Sequence, residues 1–276
     1  MRYLFIFLGF FLNSSILAAT TNTLSGHSIA VQGQVDAGGE AISSLRRLKR
    51  GSALYSLDLV TTGIDGRAQL KFLDGGLITL IPNTTYRINS YIFTEKKSEV
   101  LIELSEGGFR AMTGTIGKTA PTNYIVKTPI ATIGVRGTIF EVLYRGGELN
   151  VGSLDGTVFV SNKAGAVVLP PGFYVTTHSP STIGTPTNSA PAAISAVNFT
   201  PPRGGESLEQ AQAAINQQPI VPPVTQPTES SSSTTTSTST SSSSTSSTES
   251  TLEPQAGEKE GWLYVPESVG NPSCGK

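Results

Sequence analysis

The chain has 276 residues, with 19 Lys and Arg against 20 Asp and Glu, a formal net charge of −1 and 14% charged residues. That charge content lies well below the roughly 25% of an ordinary soluble domain. With one Cys and two His, it excludes a disulfide framework, a Cys-rich zinc site and most His-based metal clusters.

At the N-terminus, Met1 and Arg2 precede an apolar run from Tyr3 to Leu12, followed by Ile16-Leu17-Ala18-Ala19. A positive start, a short apolar stretch and small residues at its end describe a secretory signal peptide over residues 1–19. The run is shorter than the roughly 20 apolar residues that span a bilayer. The mature protein is therefore expected to be exported without a transmembrane anchor, soluble or peripherally attached.

From Ser28 to His178 the pattern is β. Short runs rich in Val, Ile, Leu, Thr, Tyr and Phe alternate with glycine turns at close to ten-residue spacing, the signal of an all-β fold. Arg67–Phe72 alternates polar and apolar residues, Asp74-Gly75-Gly76 turns the chain, and Leu77–Ile81 returns; an Asp-Gly pair between such runs marks a hairpin. Further strands are predicted over Tyr86–Phe93, Val100–Leu104, Phe109–Met112, Tyr124–Lys127, Ile139–Tyr144, Glu148–Val151, Thr157–Ser161, Ala166–Leu169 and Phe173–Thr177. Gly63-Ile64-Asp65-Gly66 with Gly75 is echoed by Ser153-Leu154-Asp155-Gly156 with Gly165. Two copies of one turn-strand unit point either to a β-sandwich with pseudo-symmetry or coil-like stacked β architecture, or to chance likeness between Gly-rich hairpins.

The remainder differs in composition. Residues 20–180 carry 15 basic and 12 acidic side chains, whereas residues 181–276 carry 3 basic and 8 acidic. Residues 179–227 read as a Pro/Ala/Gln-rich linker, with a short helix at Ser207–Gln217 where Leu208, Ala211, Ala214 and Ile215 share a face. From Thr228 to Thr251 every residue but Glu229 and Glu249 is Ser or Thr. Such a tract buries too little apolar area to offset its ordering entropy and is expected to be disordered. The tail, residues 252–276, holds Gly261-Trp262-Leu263-Tyr264-Val265-Pro266 and Cys274. The hexapeptide reads as a docking segment on a flexible arm or as plain tail, and Cys274 as a free thiol or an intermolecular disulfide.

The stretch Thr128-Pro129-Ile130-Ala131-Thr132-Ile133-Gly134-Val135-Arg136-Gly137-Thr138-Ile139-Phe140-Glu141-Val142 resembles the signature of the FecR domain. Arg50–Leu54, Leu59–Ala68 with Phe72 and Asp74-Gly75, and Leu169-Pro170-Pro171-Gly172 are similar to other parts of that domain. The resemblance covers residues 28–178. It implies an all-β module in the periplasm, or secreted to the cell surface, of a Gram-negative bacterium, with binding, sensing or scaffolding roles. FecR-type regulators carry a cytoplasmic anti-sigma segment and a membrane span. Here a signal peptide is expected in their place, so the sigma-regulator role is not carried over.

Within the motif, Pro129 biases Thr128 toward extended backbone, and Gly134 and Gly137 permit a tight corner around Arg136. Arg136 reads as a staple to backbone carbonyls or to Glu141, or as an exposed ligand contact. Thr138 belongs to the motif, in a structural or partner-binding role. Arg46, Arg47, Lys49 and Arg50 put four cations in five residues, suited to an anionic surface or to a solvated strand face. Tyr86, Tyr91 and Phe93 read as core or as an aromatic binding face. His27 and His178 lie at opposite ends of the domain with no nucleophile elbow or metal-ligand spacing, and Asp65, Asp74 and Asp155 each precede a glycine as turn formers. No catalytic, cofactor or metal residue is assigned.

These observations point to a non-enzymatic envelope domain that recognises a protein or polysaccharide. The alternatives are an envelope scaffold or matrix protein that associates with itself, and, less favoured, a carbohydrate-active enzyme. Nucleic acid is excluded as a partner by export and by the small domain charge.

Overall fold

The computed structural model of the chain describes residues 23–39 and 42–217. The signal peptide, the Ser/Thr tract, the tail hexapeptide and Cys274 lie outside the described residues. The strands are β1 (Leu24–Gln32), β2 (Val35–Gly39), β3 (Ile42–Arg47), β4 (Ala53–Tyr55), β5 (Asp58–Thr62), β6 (Arg67–Phe72), β7 (Leu77–Leu80), β8 (Thr85–Phe93), β9 (Ser98–Met112), β10 (Tyr124–Lys127), β11 (Thr132–Arg145), β12 (Glu148–Asn162), β13 (Gly165–Leu169) and β14 (Tyr174–Thr177). Three short α-helices accompany them, α1 (Thr115–Thr119), α2 (Ala192–Ser195) and α3 (Leu208–Gln217), with one 3-10 turn at Pro121–Asn123. The fold is all-β, as the glycine-punctuated runs predict.

Hydrogen bonding links the strands into one sheet, and that sheet is folded across itself. The fold lines lie in its three long strands. β9 pairs with β8 and β10 through residues up to Glu106, then with β7 and β11 from Gly107 onward. β11 and β12 change partners at Gly137 and Gly156 in the same way.

Two layers result. Layer A runs β3–β2–β5–β8–β9–β10–β11–β12–β13 and layer B runs β4–β1–β6–β7–β9–β11–β12–β14. The sequence divides β9 and β12 into separate predicted strands and begins β11 at Ile139, because the glycines at the bends mimic turns. The two echoed hairpins fall in opposite layers, β6–β7 in B and the second half of β12 with β13 in A.

Glycine is required at these bends. Gly137 has φ +57° and Gly156 φ +74°, values an L side chain adopts only with strain. A Cβ on Gly156 would stand 2.3 Å from the Gly137 carbonyl oxygen.

The core fills the space between the layers. Tyr86 and Tyr124 from layer A meet Phe109 and Phe140 from layer B in a chain of edge-to-face contacts, with centroids 5.6, 5.8 and 6.3 Å apart. Tyr91 stacks on Phe72 at 4.2 Å. Each such aromatic pair adds roughly 0.5–1.5 kcal/mol beyond its buried area. Tyr86 and Tyr91 are therefore core residues; they make no exposed binding face.

The connection from β9 to β10, the one parallel pair among the described strands, passes through α1, which drops Ile116 into the core. Asp74 ties this connection to the β6–β7 turn. Its buried carboxylate accepts from the Tyr91 hydroxyl at 2.5 Å and from the Gly76 and Ile116 amides at 3.0 and 3.1 Å. Burial pushes the Asp74 carboxyl above the usual carboxylate range despite these donors.

Residues 179–217, expected as linker, instead cross the end of the β12–β13 hairpin, where Asn162 donates to the Ser179 and Thr182 carbonyls and the Lys163 amide to that of Pro180, and continue as a strap along β14 and over the outer face of layer B. Ile194 and Phe199 pack on Ile81 and Leu143, and Leu208 and Ala211 of α3 pack on Leu77 and Met112. Arg67 donates to the carbonyls of Asn198 and Thr200, the latter at 2.7 Å. Gln69 donates to the Glu206 carbonyl and accepts from its amide, at 2.9 and 2.7 Å, so one side chain replaces a strand's pair of backbone partners. Lys71 pairs with the Glu206 carboxylate at 2.8 Å.

Candidate functional site

The motif strand β11 crosses from layer A to layer B, and its parts do different work. At its start the Thr128 hydroxyl donates to the Ala131 carbonyl at 2.9 Å and accepts from the Ala131 amide at 3.0 Å. The Thr128 amide also donates to that carbonyl at 2.9 Å. Thr128 thus locks the turn that carries Pro129 from β10 into β11. Gly137 supplies the bend, and Thr138 follows it within β11.

Gly134 does neither. Its φ is not positive, and a Cβ there would meet only the Phe159 Cβ, at 3.8 Å. Backbone geometry does not demand glycine here; its effect is to leave a dip in the surface.

That dip sits in the middle of an apolar row. The strand registers align Val168 of β13, Phe159 of β12, Gly134 of β11, Ile125 of β10 and Leu101 of β9 across the outer face of layer A. Phe159 is 42% and Val168 52% exposed, and Ile125 and Leu101 are half-buried. The next row on one side holds Thr132 and Lys127 opposite Glu103, and on the other side Arg136 faces Thr157. Apart from its contacts to Asn162 and Lys163 at the end of the β12–β13 hairpin, the strap lies on the opposite layer, so this face is open among the described residues.

Arg136 is exposed on that face. The expected staple to Glu141 is not formed, because the two residues flank the bend and lie in different layers. Glu141 instead accepts from Arg110, its Oε1 lying 2.7 Å from the Arg110 Nε. The Arg110 guanidinium in turn lies over the Phe199 ring of the strap, 5.2 Å from its centroid. The arginine that staples is Arg110, whose position one register across from Glu141 is not apparent from sequence spacing.

Of the four cations of residues 46–50, Arg47, Lys49 and Arg50 are exposed, and three of the four have partners within the chain. Arg46 grips the buried Asp58 through both carboxylate oxygens and donates to the Ala53 carbonyl at 3.0 Å. Arg47 pairs with Asp36 at 2.6 Å. The Gln34 side chain first, and Arg47 with it, hold the Asp36 carboxyl below the usual range. Arg50 donates to the strap carbonyl of Gly204 at 3.1 Å, and Lys49 is exposed. Three of the four cations are thus committed to internal contacts. Their acidic and carbonyl partners lie up to 154 residues away and are invisible to a reading of the local charge run.

Residues 58–159 match the family model described as FecR protein. The chain carries a FecR domain. The matched residues begin at Asp58, the anchor of Arg46, and end at Phe159 in the apolar row. Two solved structures of a putative anti-sigma factor from Parabacteroides distasonis ATCC 8503, at 2.50 and 1.65 Å resolution, are each 21% identical in sequence. Their TM-scores are 0.39 and 0.38, and each match covers 47% of this chain and 57% of the other. No curated protein matches the chain. In this FecR domain the signature stretch builds the turn at Thr128, the bend at Gly137 and the centre of the open face. No helix among the described residues is long and apolar enough to cross a membrane.

Proposed function

We propose that this FecR-domain chain is exported and acts without catalysis, recognising a protein or polysaccharide of the bacterial cell envelope through the open face of layer A. The observation that carries this reading is the contrast within the charged and apolar side chains. Arg46, Arg47, Arg50 and Arg110 each have a hydrogen-bonding partner within the chain, while Arg136, for which no partner is found among the described residues, stands exposed with Phe159 and Val168 around the Gly134 dip. A large aromatic beside an arginine and a shallow recess has the composition of a recognition hot spot. The FecR match supports a sensing or signalling role, and the Ser/Thr-rich stretch would serve as a tether for the domain.

The test is crosslinking from the native envelope with a photoreactive residue at position 161, comparing the natural chain with Phe159→Glu. A discrete crosslinked species from the envelope fraction, lost in Phe159→Glu while the fold is retained by circular dichroism, is the expected result. Retention of the chain in the cytoplasm, or a crosslinked species indifferent to Phe159→Glu, would overturn the reading.

A further inference from the structure

The two layers end in four edge strands, and three of them are blunted. On β4, the Ala53 carbonyl is taken by Arg46 and the Tyr55 amide by Asp58, at 3.0 and 2.8 Å. On β14, Tyr174 exchanges both backbone hydrogen bonds with Thr187, at 2.8 and 2.9 Å. The strap there runs so close that a Cβ on Gly184 would lie 2.2 Å from the Thr176 carbonyl oxygen. β3 carries Arg46 and Arg47. Charge, cover and side-chain capping are the usual means of preventing edge-to-edge pairing.

Among the described residues β13 has none of them. Its five residues, Gly165-Ala166-Val167-Val168-Leu169, are uncharged, and β12 is its one strand partner. Ala166 and Val168 are exposed, and Val167 is half-buried. The turn Lys163-Ala164 joins Asn162 to Gly165, and a two-residue turn makes its flanking pair hydrogen-bonded. By alternation Val167 and Leu169 also bond to β12, while Ala166 and Val168 turn their N–H and C=O groups outward.

We infer that β13 is a docking edge for a second copy of this chain, joining two layers A into one continuous antiparallel sheet. The edge is self-complementary. With the two-fold axis at Val167, Ala166 of one copy faces Val168 of the other, and the four outward N–H groups meet the four outward carbonyls. The strand carries no charge to oppose its own image, the condition under which a two-fold contact forms without like-charge repulsion. Pro170-Pro171 ends the edge and fixes its length. Pairing continues the apolar row from Phe159 and Val168 of one copy to Ala166 of the other, setting two open faces side by side. It is independent of which envelope partner layer A recognises.

The test is sedimentation velocity on the full exported chain in reducing buffer, where Cys274 cannot bridge. The natural chain is expected to show a concentration-dependent monomer–dimer equilibrium. Ala166→Lys with Val168→Lys places like charges opposite each other at both contacts and is expected to weaken the dimer at least about tenfold. Ala166→Glu with Val168→Lys places opposite charges there and is expected to restore it. Both pairs of substitutions lie at exposed positions, and equal melting temperatures verify the fold. A natural chain monomeric throughout, a dimer unaffected by the double lysine variant, or no recovery in the Glu/Lys variant would overturn β13 pairing. So would a monomer that binds extended peptides of other proteins at β13, which would place a different occupant there.

Discussion

The outer faces of the two layers share the three long strands β9, β11 and β12 and end in opposite states. On layer B, Gln69 and Glu141 point away from the core and are nevertheless buried, because the strap lies over them; it supplies the partners of Gln69, and Glu141 pairs with Arg110 beneath it. On layer A, Phe159 and Val168 also point away from the core and are exposed. Period-two alternation identifies the face of a strand that meets the core; it says nothing about whether the other face is covered. The polar residues of layer B belong under a cover because buried polar groups need partners. The strap's backbone amides and carbonyls need the same partners in return.

The strap is the place where this contrast is broken most severely. Phe199 is 3% exposed and packs with Ile81, Leu143 and Ile194. Phe199→Ala is expected to cost about 3 kcal/mol in urea denaturation, the lower end for truncating a buried Phe, since the strap is freer to relax than a core strand. Phe159→Ala, the same change on the open face, is expected to stay within about 0.5 kcal/mol. A loss below about 1 kcal/mol for Phe199→Ala would mean that the strap adds little to the folded state and that layer B's outer face is open in solution as well.

The next largest effect is electrostatic. The side chain of Glu141 is 3% exposed and that of its partner Arg110 29%. Removing one member of a fully buried pair costs about 3–5 kcal/mol, and the residual water contact of Arg110 lowers the expectation for Glu141→Ala to roughly 2–3 kcal/mol. The melting temperature checks it. Replacing both partners with apolar residues of similar size should recover part of the loss, because no uncompensated charge is then left beneath the strap.

Much of this architecture is legible in the residues. Alternation marks β6 to the residue, the Asp74-Gly75 hairpin is where the turn chemistry places it, and the Thr128–Val142 signature identifies the domain. Two kinds of information are missing from the sequence. The first is continuity: glycines at the layer-crossing bends look like turns, so β9 and β12 read as four strands. The second is long-range pairing. Arg110 meets Glu141, Arg46 meets Asp58 and Gln69 meets Glu206 through strand register and strap path, neither of which leaves a local trace. The strap itself shows only a faint signal, the Leu208 and Ala211 face of α3, because most of its remaining hydrogen bonds are made by backbone groups that any residue carries, and its packing residues Ile194 and Phe199 follow no period.

Arg136 gives the smallest expected effect and the sharpest test of the contrast. Read from sequence it is a corner staple, whose loss would lower stability, or an exposed ligand contact. In the structure it is an exposed side chain on the open layer, one residue before the bend that Gly137 makes with its own backbone. Among the described residues no carboxylate or carbonyl receives its guanidinium. Arg136→Ala is therefore expected to leave the unfolding free energy within about 0.5 kcal/mol of the natural chain, whereas Arg110→Ala, which strands the buried Glu141, is strongly destabilising. If the open face recognises an envelope partner, Arg136→Ala should weaken that capture while the melting temperature holds. A melting temperature that falls as far as in Arg110→Ala would return Arg136 to a structural role and take the recognition face away from the motif strand.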